Sequence, residues 1–468
     1  MKVAKYLTIV LLLFVSNAWG AVHKSAETPE QIFKHWLSAF NRGDEQALLT
    51  ISTKYGMQRD AARDIALHES MGRFKILEFM SSTSAKVEVV VLVEASERAL
   101  LATVTLDQAK PSEVSLFQLE GMEMPVKYRP KRMKIASLTR IAKQRLERLA
   151  ASDSMYGALI VAKDNKILLQ WQGGLADREV ALPISTNTQF RLASLNKMFT
   201  AVAVLQLVEA GKLTLDGTIS RYLPDYPNPS VAKSITLRQL LNHTSGLGDI
   251  FGEDFSTYSQ ALRTHTDYIN QFSATPPEHA PGTQDGYSNY GYIVLGAVIE
   301  AVSGQSYYDY VDEHIYRIAG MKSTGSNPES MPVPGRAVAY ARKEGIWQAE
   351  TASLPWRGMA AGGAYSTVAD ILRFAEALRT GKLLSPALIE AATTAQNHKH
   401  WYGYGFMVSG QGKERQYGHE GGAPGANTAL VVFPSEGYVV VGLSNTDPDL
   451  MENMVNFIAR RLPLDSPN

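Results

Sequence analysis

The stretch Phe190-Arg-Leu-Ala-Ser-Leu-Asn-Lys-Met-Phe-Thr-Ala-Val202 sets a serine, Ser194, three residues ahead of a lysine, Lys197, where an apolar run begins. At helical spacing a residue three positions on lies on the same face one turn later, so the amine reaches the hydroxyl. A serine near a helix N-terminus also has the positive end of the helix dipole beside it. A hydroxyl is a weak nucleophile at neutral pH and needs an adjacent base. A lysine serves only if burial or positive neighbours bring its pKa down toward 7. Phe190, Leu192 and Ala193 before the serine, and Met198, Phe199, Ala201 and Val202 around the lysine, supply that burial. Spacing by itself is not specific, because Ser230-Val-Ala-Lys233 repeats it in a proline-rich loop.

Two further stretches carry chemistry-bearing side chains. Tyr287-Ser-Asn289 lies in the turn-rich segment Pro281-Gly-Thr-Gln-Asp-Gly-Tyr-Ser-Asn-Tyr-Gly291, ahead of a predicted helix from Tyr292 to Val302 that Gly304 ends. A loop-to-helix corner of this kind presents a phenol that relays a proton and a carboxamide that pairs with a substrate carbonyl. To act as a base at neutral pH the phenol needs its pKa lowered from roughly 10 to near 7, which a nearby ammonium would supply. Tyr226-Pro-Asn228 and Tyr268-Ile-Asn270 share the bare pattern and read as loop or helix surface. The third stretch is Tyr417-Gly-His-Glu-Gly-Gly-Ala-Pro-Gly425. Gly421 and Gly422 leave backbone N–H groups open to a ligand, and His419 offers a proton carrier or a carbonyl ligand.

Around these stretches the β-branched runs Ala158–Ala162 and Ile167–Trp171 open the region, while Thr428–Phe433 and Tyr438–Leu443 close it before a last helix near Leu450 to Leu462. Strands at both ends of a helix-rich middle imply one sheet completed by the two chain ends, with an inserted helical region. A cleft at that junction is the expected site.

Taken in order, Ser194-x-x-Lys197, Tyr287-x-Asn289 and His419-x-Gly421 make the chain from Ala151 to Pro463 resemble the penicillin-recognising serine hydrolases. The closest subgroup is the class C β-lactamases with their related esterases and D-amino-acid peptidases. Val208-Glu-Ala-Gly-Lys-Leu-Thr-Leu-Asp216, Ile235-Thr-Leu-Arg-Gln-Leu-Leu-Asn-His-Thr-Ser-Gly-Leu247 and Ala361-Gly-Gly-Ala-Tyr-Ser-Thr-Val-Ala-Asp370 look like segments of the same family. The resemblance implies a β-lactamase-like α/β (α+β) fold, an antiparallel sheet flanked by helices plus a helical subdomain.

It further implies that Ser194 forms the acyl-enzyme, and that Lys197 and Tyr287 activate it and protonate the leaving group. Asn289 would orient the substrate, as would the turn His419, Gly421 and Gly422, with the N–H groups of Ser194 and Gly422 binding the oxyanion. The chain departs from the family where a lysine usually opens the third motif, since His419 stands there, followed by Glu420. That lysine helps hold the carboxylate of β-lactams and D-Ala-D-Ala ends, so its absence weakens a β-lactamase assignment. Glu420 would repel an anionic substrate if it faced the cleft.

The expected reaction is acyl transfer from an ester or amide to Ser194 and then to water. A D-amino-acid or cell-wall peptidase, or a β-lactamase, is the alternative within enzymes, and a non-catalytic binding protein on this fold the alternative outside them. His243 reads as structural, because no Gly-x-Ser-x-Gly elbow exists to make it a triad histidine. His314 sits on a predicted helix without a His-Glu-x-x-His element, so neither a metal nor a cofactor is expected.

Upstream, Thr28 to Met71 has helical spacing through Ile32, Phe33, Trp36, Leu37 and Phe40, and Phe74 to Leu119 turns to alternating β-branched runs. This element order resembles the cone-shaped domains of the nuclear transport factor 2 type and carries no site motif. The expected organisation is a signal peptide over 1–20, an accessory α+β domain over 21–130, a linker helix over 131–150 and the hydrolase domain over 151–468. The accessory domain is a candidate for homodimerisation.

Met1-Lys2-Val3-Ala4-Lys5, an apolar stretch to Val15 and small residues around Trp19 give the order of a secretory signal, so export to a periplasm or the exterior is expected, with no lasting membrane anchor. Cleavage would leave 44 basic against 46 acidic residues, a balance with no footprint for nucleic acid, so the expected partner is a small-molecule or peptide substrate. The 468 residues include no cysteine, which excludes a thiol nucleophile and a disulfide framework.

Overall fold

The computed structural model describes residues 27–252, 255–350 and 354–464, so the expected signal segment lies outside the described residues. The chain divides into two compact units, the first ending at Glu123 and the second starting at Met124 apart from the turn Ala95–Glu97.

In the first unit three helices, Pro29–Arg42, Glu45–Lys54 and Ala61–Met71, precede a four-stranded antiparallel meander of Phe74–Ser82, Lys86–Val93, Arg98–Leu106 and Val114–Met122. The first helix starts at a Thr28/Gln31 capping box and stops at Gly43, whose φ of 63° is left-handed. Its apolar stripe of Ile32, Phe33, Trp36 and Phe40 is buried against Val87, Val89, Val91 and Val93, alternate residues of one strand.

The second unit is built on a six-stranded antiparallel sheet in the order Met407–Ser409, Gln416–Ala423, Ala426–Phe433, Tyr438–Ser444, Gly157–Lys163 and Lys166–Gly173. Ser444 lies opposite Gly157, so the two ends of the unit do complete one sheet. Both faces are covered, which is why its central strands read as continuous apolar runs. Ala158, Ile160, Val439 and Val441 face one core with the helices Lys197–Glu209 and Asn289–Ser303, and Leu159, Val161 and Val440 face another with the helix Leu450–Ala459.

The segment expected to be a linker helix is instead part of this second core. Over Ile135–Ala151 its stripe of Leu138, Ala142 and Leu146 is fully buried against the sheet, because an amphipathic stripe of that length is stabilised only by apolar cover. No helix among the described residues is long and apolar enough to cross a membrane.

Candidate active site

Ser194 lies in a 3-10 turn, Ala193–Asn196, that runs directly into the helix Lys197–Glu209. Residues three apart eclipse one another in such a turn, which brings Lys197 Nζ to 3.2 Å from Ser194 Oγ. The chain enters the turn through Ala193 at φ 46°, a left-handed conformation that costs an alanine about 1 kcal/mol. Lys197 is 0% exposed while Ser194 keeps contact with solvent. Ser230 and Lys233, with the same spacing, are both exposed, so that amine stays in water.

Burial lowers the Lys197 pKa to about 7, against the pull of the Asp249 charge. Nζ also lies 2.6 Å from Asn289 Oδ1 and 2.7 Å from the carbonyl oxygen of Ala361. Carbonyl oxygens only accept, so each takes an N–H. A neutral amine has two N–H groups and one lone pair. With both N–H groups spent on carbonyls, the lone pair is left for the Ser194 hydroxyl, which then donates.

The Asn289 amide is oriented by Asp249. Its Nδ2 donates to both carboxylate oxygens at 3.0 and 2.9 Å, so Oδ1 must face the lysine. Asp249 is solvent-exposed, and its Oδ1 also accepts the backbone N–H groups of Ile250 and Phe251. One N–H of Asn289 is thus shared between the two carboxylate oxygens, and its amide links the carboxylate to the amine where the sequence suggests a substrate contact.

The Tyr287 phenol lies beside the Ser194 side chain. Burial pushes this phenol above its ordinary value, and the Asp249 charge adds to the rise. The lowering that a base role for Tyr287 would need is thus not what burial gives it. The neighbouring amine is itself held near 7, and loss of hydration outweighs it. Lys197 Nζ stands 4.8 Å from the centre of the Tyr287 ring, over an electron-rich face. Beneath the turn, His243 is fully buried, its Nδ1 accepts the Ser288 N–H at 3.1 Å, and its ring packs 4.2 Å from that of Tyr287. Both contacts make it a support for the Tyr287–Asn289 corner.

The third motif lies on the strand Gln416–Ala423. The short strand Met407–Ser409 pairs only with Gln416–Gly418, so beyond Gly418 that edge has no strand partner among the described residues. A Cβ on Gly421 would fall 2.5 Å from the carbonyl oxygen of Leu192 and 3.0 Å from Ser194 N. Only glycine lets the strand lie against the backbone at Ser194. Gly421→Ala is accordingly expected to push the strand off Ser194 and lower kcat/KM about 100-fold, the loss typical of one oxyanion donor, with ester hydrolysis as the measurement. Unchanged kinetics would show that the strand is not part of the site.

His419 and Glu420 occupy positions the sequence does not foresee. The His419 Nδ1 lies 2.5 Å from the carbonyl oxygen of Glu420 and must donate to it. Burial lowers the ring's pKa to about 3, so the imidazole is neutral and its Nε2 accepts from the Tyr402 hydroxyl at 2.8 Å. No ring nitrogen remains for a substrate carboxylate. Glu420 points to the opposite face of the strand, where Oε1 accepts from Asn456 Nδ2 at 2.8 Å. The repulsion expected of a Glu420 facing the cleft is therefore absent.

Asp249 and the Ala361 carbonyl escape the sequence reading. Asp249 belongs to no spaced motif, and a backbone carbonyl leaves no side-chain signal. Among the described residues no cluster of His, Asp or Glu is arranged to hold a metal ion.

Residues 141–464 match the family described as Beta-lactamase. A penicillin-binding protein of Bacillus subtilis (strain 168) is 30% identical over 324 residues, covering 65% of this chain and 71% of its own. The esterase EstB of Burkholderia gladioli is 30% identical over 289 residues, covering 53% of this chain and 73% of its own. Among solved structures, a penicillin binding protein from Bacillus halodurans aligns with a TM-score of 0.61 at 30% identity, covering 69% of this chain and 98% of that one.

Proposed function

This chain belongs to the beta-lactamase family of serine hydrolases, and on that premise we propose that it cleaves esters and amides lacking a carboxylate beside the scissile bond, through an acyl-enzyme on Ser194. The observation that carries the proposal is the bond set of Lys197, whose two carbonyl partners leave its lone pair for the Ser194 hydroxyl.

The neutral amine takes the hydroxyl proton as Oγ attacks the substrate carbonyl. The backbone N–H groups of Ser194 and Gly422 hold the oxyanion. The Tyr287 phenol, kept neutral by burial, gives its proton to the departing alkoxide or amine and is recharged by the Lys197 ammonium. Water then retraces these steps. It loses a proton to Lys197 through Tyr287, attacks the acyl carbon and releases Ser194 with its hydroxyl restored.

Substrate class follows from charge. The two nitrogens of His419 are engaged, and Asp249 sets an exposed carboxylate beside Asn289, which disfavours anions and favours neutral or ammonium-bearing acyl groups. The likeness to a named esterase supports the ester branch. Export is part of the same proposal, supported by the order of charged, apolar and small residues in Met1 to Gly20.

The test is a side-by-side measurement of kcat/KM on a short-chain aryl ester, a D-alanyl anilide with a free amino group, a D-alanyl-D-alanine peptide and a chromogenic cephalosporin. The first two are expected to exceed the last two by about tenfold or more, the scale of one lost charge-assisted contact. A preference for the carboxylate-bearing pair would overturn this substrate class.

A further inference from the structure

His265 and Glu300 form an ionisable pair, the imidazole buried and the carboxylate partly exposed, that the chemistry above does not use. His265 opens the helix His265–Phe272 and is 1% exposed. Its Nε2 accepts the backbone N–H of Ala360 at 3.3 Å, and its Nδ1 lies 3.3 Å from Glu300 Oε2. An amide N–H only donates, so Nε2 carries the lone pair and Nδ1 carries the hydrogen, which points at the carboxylate. The other Glu300 oxygen accepts the Tyr307 N–H at 3.0 Å, so the carboxylate too is held in place.

The tie matters because of where Ala360 sits. The neighbouring Ala361 carbonyl is one of the two acceptors that occupy the Lys197 amine. The other carbonyls of this short segment are held from the nucleophile side, Met359 by Asn196 Nδ2 at 2.9 Å and Ala360 by Thr200 Oγ1 at 2.7 Å. His265 grips the segment by its N–H from the opposite side. Gly296 makes room for it, since a Cβ there would fall 2.4 Å from His265 Nε2 and 2.7 Å from the Ala360 Cβ. Gly296 and Glu300 belong to the helix whose first residue, Asn289, supplies the other acceptor of Lys197. One helix therefore sets both carbonyls, one through its own side chain and one through the imidazole.

We infer that His265, oriented by Glu300, is a positioning residue for the general base. It holds the Ala360 N–H so that the Ala361 carbonyl keeps one N–H of Lys197 and aims the amine lone pair at Ser194. The inference rests on the reading of Lys197 as that base.

Three substitutions test it in the full chain. His265→Gln keeps an acceptor near the Nε2 position, His265→Leu removes it, and Glu300→Gln sets an amide NH2 against Nδ1, which forces the hydrogen onto Nε2 and against the Ala360 N–H. Two quantities are read: hydrogen exchange at the Ala360 amide, and the rate at which a fluorophosphonate labels Ser194. In the Leu and Glu300→Gln variants exchange is expected to rise about tenfold, as for a lost buried hydrogen bond. Labelling in both should slow about 10- to 100-fold, as for a base displaced by a fraction of an ångström to one ångström. His265→Gln should stay within about threefold of the unaltered protein in both readouts.

Loss in His265→Gln equal to that in His265→Leu, or unchanged Ala360 exchange in His265→Leu, overturns the inference. If the unaltered protein resists the fluorophosphonate, it is the hydrolase reading that fails, and Ala360 exchange still decides whether His265 holds the segment.

Discussion

With alanine at position 194, hydrolysis of an aryl ester falls by a factor of about 10,000 or more, while the protein unfolds within about 3 °C of its usual temperature. The first half follows from covalent chemistry. Without Oγ there is no acyl-enzyme, and what remains is the contribution of substrate binding and oxyanion donors, which in serine hydrolases leaves only about a thousandfold to ten-thousandfold over water. The second half follows from what Ser194 touches. Its hydroxyl meets solvent and the Lys197 and Tyr287 side chains, and the amine keeps both carbonyl partners when it is gone. Initial rates and scanning calorimetry on both proteins make the measurement. Retention of a tenth of the activity would remove Ser194 from the mechanism.

Lys197→Met carries the second large effect, and it acts on both rate and stability. Removing the base lowers kcat/KM about 1,000-fold or more. With an amine whose pKa is about 7, kcat/KM of the unaltered protein rises with pH through that value as the reactive neutral form appears. The Met variant, having no such group, is flat over the same range.

The stability effect has a definite sign. The folded amine titrates near 7 and the unfolded one near its ordinary 10.5. Below pH 7 both states are protonated and burial of the charge opposes folding in full, by roughly 5 kcal/mol. Between these values the unfolded chain binds a proton that the folded chain does not, so stability rises with pH. From pH 7 to pH 9 the unaltered protein is therefore expected to gain about 2 kcal/mol relative to Lys197→Met. Urea unfolding of the two proteins at both pH values reads this difference, in which the other titrating groups cancel. Equal pH dependence would mean that Lys197 is charged in the fold, and it could not then be the base.

The sequence by itself determined the features that are written locally. Apolar runs at Ala158–Ala162 and Tyr438–Leu443 required a sheet covered on both faces, since residues pointing alternately up and down were all apolar. The Ser194–Lys197 contact was legible because three-residue spacing at a turn brings side chains together whatever the remainder of the fold does. Tyr287 and Gly421 were legible through their companions in chain order, and the structure brings both to Ser194.

Only the tertiary structure decided what each group can do. Ser194 and Ser230 precede a lysine at the same distance, and burial of one amine and exposure of the other separates them. Burial, not a neighbouring charge, sets the direction of the Tyr287 shift. The Nε2 of His419 is occupied by Tyr402, a partner no spacing announces. Asp249, His265 and the Ala361 carbonyl reach the site from separate parts of the chain, two of them through backbone groups that every residue carries. Solvation and hydrogen-bond direction depend on which atoms end up adjacent, and adjacency across the chain is a property of the packed core.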